Sequence, residues 1–408
     1  MDEAAQIVMQ LIRQIPTNDT LTSHPLVVGA AAGVIAAYDK LIARAVKDDE
    51  VSGDGALLGS LLGFLAQALQ HPASRVAAAK ALQRLCITCH VQLCSVGAVE
   101  QLGGMLQEAV QGGLETEGGV MLFEGIARLV AKLSSVEEVT QAFDTLCRPS
   151  VTRMQAAVRA NGADVDSGAR RDALLTELQM LTAALRFMDI RVADTAAHPV
   201  MPVLEYLWPE LETMAGIVDF QGDTPVMSAF FDLHGKLLSS LGKRMLPQLP
   251  TVINVMVDCY QRFSMACALD SLAIAVETFG SLPDVLSAFA EVLAAVSSHT
   301  AGLLAPGADG GGGAGGAGAG GTSLQRHPDI IRCFFNMVQR YVMFCPGGLA
   351  ESMDVLGCIF EMAVACLLVP ERTAGRQVAS VLSQMIGKQV RLGGKRVGQR
   401  RRFMHCCC

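Results

Sequence analysis

Aromatic side chains are scarce, at 5% of 408 residues with Trp208 the only tryptophan. The 51% apolar content therefore rests on Ala, Leu, Val, Ile, Met and Cys, the palette of packed helices. Charge is also thin, at 17%, with a mean hydropathy of +0.37. That excludes the polar, highly charged composition that keeps chains unfolded. Long hydrophobic runs are missing too. The longest uncharged stretches, 20–38, 55–74 and 292–308, are diluted by Gly, Ala, Ser, Gln, His or Pro, so no membrane insertion is expected. The start, MDEAAQIVMQ, carries two acids where a signal peptide needs a basic segment. The expected location is cytoplasm and nucleus.

Local chemical motifs are absent as well. No Gly-Lys pair is followed by Ser or Thr, and neither G-x-S-x-G nor H-E-x-x-H occurs. The formal G-x-G-x-x-G at Gly310, Gly312 and Gly315 follows no strand and lies inside a glycine run, so it reads as linker. Cys86-Ile-Thr-Cys89-His90 matches the haem c attachment pattern, yet no export signal accompanies it and both thiols fall on an apolar helical stripe. Of the thirteen cysteines, the ten scattered through helical segments are expected to be reduced, buried and inert. No catalytic residue, cofactor or metal is expected.

What is present is helical periodicity. Ala79, Leu82, Cys86, Cys89 and Leu93 step by threes and fours, with Lys80, Arg84 and Thr88 turned away. The same spacing links Leu249, Val252, Ile253, Met256, Tyr260 and Phe263, and again Ile331, Phe334, Phe335, Val338, Tyr341 and Val342. Pro, Gly, Asp and His-Pro punctuation divides the chain into about sixteen such segments joined by short turns. Two helices with their turns occupy roughly 40 residues, the period of HEAT and armadillo arrays. The expected fold is all-α, a helical-repeat solenoid over 1–306 that resumes at 322–387. Between them 307–321 reads as a glycine-rich flexible loop, and 388–408 as a basic, cysteine-ended, disordered tail. Lys388, Arg391, Lys395, Arg396, Arg400, Arg401 and Arg402 stand in that tail without one acid, so the remaining body is more acidic than the formal net charge of −7. Such a body favours basic protein partners and argues against direct nucleic-acid binding. After that basic run, His405 holds the position where a C-a-a-X prenylation box needs Cys, so that motif fails, and double-cysteine prenylation at Cys406-Cys407-Cys408 stays open as the lesser alternative.

Several segments resemble one known family in the same order along the chain. They are 73–89 (ASRVAAAKALQRLCITC), 124–133 (EGIARLVAKL) with Leu146, Cys147 and Val151, 204–211 (LEYLWPEL) around Trp208, and the helix start His327-Pro328-Asp329-Ile330. Together with 226–249 and 266–270 (ACALD), they resemble the transportin-SR and importin-thirteen branch of the karyopherin-β family over approximately residues 1–387. The resemblance implies a superhelix that imports basic or Arg-Ser-rich protein cargo, engages phenylalanine-glycine pore proteins and releases cargo to Ran-GTP in the full-length family. It also implies three departures. The chain starts near the middle of the family's length, beyond the arch that chiefly grips Ran-GTP. Its loop before His327 is expanded and its tail resembles nothing in the family. Where transportin-SR has an arginine-rich helix for phosphorylated Arg-Ser cargo, about 226–241, this sequence has Ser228, Asp232, His234 and Lys236, with Lys243 and Arg244 beyond. Those residues are the candidate cargo-binding set. The rival reading is a HEAT-repeat scaffold, or a cargo-sequestering half-receptor without Ran-coupled transport.

Overall fold

A computed structural model describes residues 3–18, 24–52, 56–160, 167–192, 196–305, 323–351 and 353–393. Of the described residues 84% are helical, and none is in a strand. The glycine-rich loop and the end of the tail lie outside them. The chain divides into two compact units, Met1–Met214 and Ala215–Cys408.

The first unit holds α1 (Glu3–Gln14), α2 (Pro25–Ala37), α3 (Asp39–Ser52), α4 (Ala56–Leu69), α5 (Arg75–Thr88), α6 (Val96–Gln111), α7 (Thr116–Val130), α8 (Val136–Arg159), α9 (Ser167–Leu185) and α10 (Met201–Ala215). Consecutive helices pair as hairpins, α4 with α5, α6 with α7 and α8 with α9. Within one layer α2, α5, α7 and α9 each pack on the next, and α4, α6 and α8 do the same in the other. The starts of α4, α6 and α8 fall about 40 residues apart, the spacing of a helical-repeat solenoid. Local signals set the ends. Ser135 and Glu138 form a reciprocal capping box before α8, and the Ser95 hydroxyl accepts from Ala98 N–H at the start of α6.

The apolar stripes face inward. Ala79, Leu82, Cys86, Cys89 and Leu93 are all buried. Burial pushes the Cys86 thiol up to about 12, so it stays protonated and unreactive. Gly125 of α7 sits where a Cβ would come within 2.9 Å of the Gln83 backbone on α5, so a side chain there would force the layer apart. Arg75 ties turns together: its guanidinium donates to the carbonyls of Leu69, Gln70 and Gly113. Two buried carboxylates brace the second half of the unit. Glu177 of α9 accepts from Arg153 and Ser150 of α8, and Glu210 of α10 accepts from Gln155 and Arg159. The buried carboxylates are held by charge-assisted bonds, without which their desolvation would be costly.

The second unit repeats the design with α11 (Thr224–Leu241), α12 (Leu249–Phe263), α13 (Ala266–Phe279), α14 (Leu286–Leu304), α15 (Pro328–Phe344), α16 (Met353–Cys366) and α17 (Arg372–Gly393). One layer is α11, α13, α15 and α17, each packed on the next; the other is α12, α14 and α16. Tyr260 donates to or accepts from Thr300 at 2.8 Å, and the Tyr341 hydroxyl donates to the Phe289 carbonyl at 2.9 Å, so both buried phenols are satisfied. The span 283–304 is long and apolar enough to cross a membrane by length and composition, and Phe289, Leu293 and Val296 on it are buried in the unit. α17 also runs past the expected end of order at 387, to Gly393.

Candidate functional site

The residues singled out on 226–241 lie on α11, whose first turn is fixed by Pro225 and by the Asp223 carboxylate accepting from Val226 N–H. Ser228, Asp232 and Lys236 recur every fourth residue and form one stripe, Asp232 exposed and the other two half-buried. Lys243 is exposed and Arg244 half-buried in the short turn that follows, where Gly242 takes a φ of 52°. These five residues are available at the surface.

His234 is not. It is 4% exposed, with its ring 4.2 Å from that of Phe230, and its Nδ1–H donates to the Phe230 carbonyl at 2.8 Å. Burial lowers its pKa to about 4, so the ring is neutral at physiological pH. The reason is angular. Two residues from Asp232 is about 200° around a helix, which turns His234 onto the arc of Phe230, Leu237 and Leu241. It is a core residue, and the expectation that it contacts cargo is corrected.

The same layer continues the polar surface onto α13 and α15. Asp232 and Asp270 both act on the Cys267 thiol between them, which burial raises to about 11. Asp270 is held from α15 by two neutral donors. The Cys333 thiol donates to its Oδ2 at 3.0 Å, and Asn336 Nδ2 donates to its Oδ1 at 3.2 Å. Arg332 stands 3.5 Å from the same Oδ2, a looser ion pair. One turn or two further along, Arg340 pairs with Glu277 at 3.0 Å. Gln377 of α17 donates to Gln339, which donates to Ser380. Sequence reasoning missed Asp270, Glu277, Arg332 and Arg340, because each pair joins residues more than sixty apart and no local pattern marks them.

Between the start of α11 and α12 lies a shallow hollow of about 230 Å³ lined by Met227, Val255 and Cys259, with Asn254 and Gln221 at its polar edge. Its size is that of one large side chain. No group of three or more His, Cys, Asp or Glu able to hold a metal converges among the described residues.

Residues 198–304 match the fourth TPR domain described for transportin-3 and importin-13. Among solved structures, importin-13 in its cytosolic state is similar with a TM-score of 0.68 and 17% identity, over 94% of this chain and 40% of that one. Yeast importin-beta is similar at a TM-score of 0.47 and 13% identity, over 94% and 47%. No curated protein matches the chain. The chain thus spans less than half the length of either solved receptor.

Proposed function

We propose that the chain belongs to the karyopherin-β family, in its transportin-3 and importin-13 branch, and is a nuclear transport receptor. Its cargo is protein, basic or Arg-Ser-rich, and it works between cytoplasm and nucleus. The observation that carries this reading is the family match over 198–304, a segment that includes the α11 stripe and the acidic residues of α13. Mechanism is binding and release, without covalent chemistry. Ser228, Asp232 and Lys236, with Lys243 and Arg244 at the end of α11, face cargo; Asp232, Asp270 and Glu277 supply carboxylates for cargo cations. Contacts of this exposed kind are individually weak and add up to a salt-sensitive affinity. Because α11 alternates Asp232 with Lys236 instead of stacking arginines, it offers no multiple guanidinium clamp for phosphate. Unphosphorylated basic segments are therefore its preferred class. The hollow beside Val255 and Met227 accepts a phenylalanine of a pore protein, and in the full-length receptor Ran-GTP governs release.

The test is a titration of paired Arg-Ser peptides, phosphorylated and not, against the chain at low and physiological salt. Tighter binding of the unphosphorylated peptide, weakening as salt rises, is expected. Absence of binding to either peptide at low salt overturns the receptor reading.

A further inference from the structure

The contacts of Asp270 separate what positions this carboxylate from what neutralises it. Its two oxygens are fixed by the Cys333 thiol and the Asn336 amide, both neutral and both on α15. The cation beside it is held far less firmly. Arg332 Nη2 is 3.5 Å from Oδ2 and makes its shorter contact, 3.0 Å, to the Cys333 sulfur. Both side chains of the pair are substantially exposed, 43% for Arg332 and 39% for Asp270. An exposed pair of this kind contributes at most about 1 kcal/mol. Arg332 also has a second carboxylate in its field, Asp329, one turn earlier on the same helix. Glu371, just before α17, also lies in the field of Arg332, and further charged groups along this surface include Asp232 on α11, Glu277 on α13 and Arg340 on α15, the last two already paired with each other at 3.0 Å.

We propose that Asp270 is a preorganised receptor for an arginine or lysine of the bound protein and that Arg332 is its internal place-holder, displaced toward Asp329 when the partner's cation arrives. The inference rests on the receptor reading above and adds a regulation to it. A carboxylate left bare on this surface would hold any passing cation; one occupied by a loosely bound arginine of its own favours partners that bring several cations together. Displacement costs little because the departing guanidinium exchanges one exposed carboxylate for another, while Cys333 and Asn336 keep Asp270 in place throughout. Arg332 therefore lowers affinity for basic segments, although it lies on the binding surface and forms an ion pair there.

Fluorescence anisotropy on the full chain tests this, with a fluorescein-labelled peptide of alternating arginine and serine titrated at low salt. Arg332→Ala is expected to tighten binding about threefold, the range an exposed ion pair sets. Asp270→Asn keeps the acceptor oxygen and the shape, and is expected to weaken binding by a similar factor or more. The double variant should match Asp270→Asn alone, since without the carboxylate the place-holder has nothing to guard. Thermal melting of each variant checks that the fold is unchanged. If the wild type binds and Arg332→Ala weakens binding or leaves it unaltered, the place-holder role is refuted while the receptor reading stands. If Asp270→Asn has no effect, Asp270 is not the receiving group. If neither wild type nor Arg332→Ala binds the peptide, both readings fall together.

Discussion

Lowering the pH should destabilise the second unit through His234, and the size of the effect can be worked out from its surroundings. The ring is buried against Phe230 and donates from Nδ1 to a backbone carbonyl, and its pKa falls from the usual 6.5 to about 4. A folded-state pKa below the unfolded value means that the unfolded chain binds the proton first. Above about pH 7 both states are neutral and His234 contributes no pH dependence. Between about 6.5 and 4 the unfolded state is protonated and the folded state is not, so stability falls as pH falls; below about 4 the loss levels off. From pH 7.5 to pH 5 the expected loss is ~2 kcal/mol, out of a full difference of ~3 kcal/mol. Urea denaturation followed by circular dichroism at the two pH values would measure it, with His234→Gln as the control in which that part of the loss disappears. Other groups titrate in the same window, so the quantity that decides is the difference between wild type and variant. If both lose equal stability on acidification, or if the His234 resonance titrates near 6.5 in the folded protein, the burial argument is wrong.

Other consequences are simpler to check. Gly125→Ala places a Cβ 2.9 Å from the Gln83 backbone, where no flexible side chain can yield, and should cost about 1–3 kcal/mol of overpacking, read as a lowered melting temperature. Thiol labelling followed by peptide mass spectrometry should modify exposed Cys358 in the native protein, while Cys86 and Cys89 label only after denaturation. Rapid native labelling of Cys86 would contradict its placement in the packed stripe of α5.

Much of the architecture was legible locally. Helix formation follows a 3.6-residue period that the sequence displays directly, so the stripe from Ala79 to Leu93 reads as a buried face before any partner is known, and it is one. The short turns and the Pro and Ser signals at helix starts are equally local, and with the helix lengths they already imply stacked pairs of about 40 residues. The order of the short motifs around Cys86, Trp208 and His327 carried the resemblance, since each lies within or at the start of one helix. Periodicity could also have placed His234 on the core face two residues from Asp232. The chemistry of an imidazole in a segment aligned with an arginine-rich helix outweighed that pattern, and the structure reverses the choice. What no local pattern contains is the pairing across stacked helices. Asp270 meets Cys333 and Asn336 at separations of 63 and 66 residues, through a connection whose length is unrelated to the packing of α13 on α15. Backbone preference and burial act along a helix and leave their period in the sequence. A hydrogen bond or ion pair between neighbouring helices depends on their relative rotation and rise, which the packing of two apolar faces sets, so only the tertiary structure decided which charges on this surface are held and which are free to exchange.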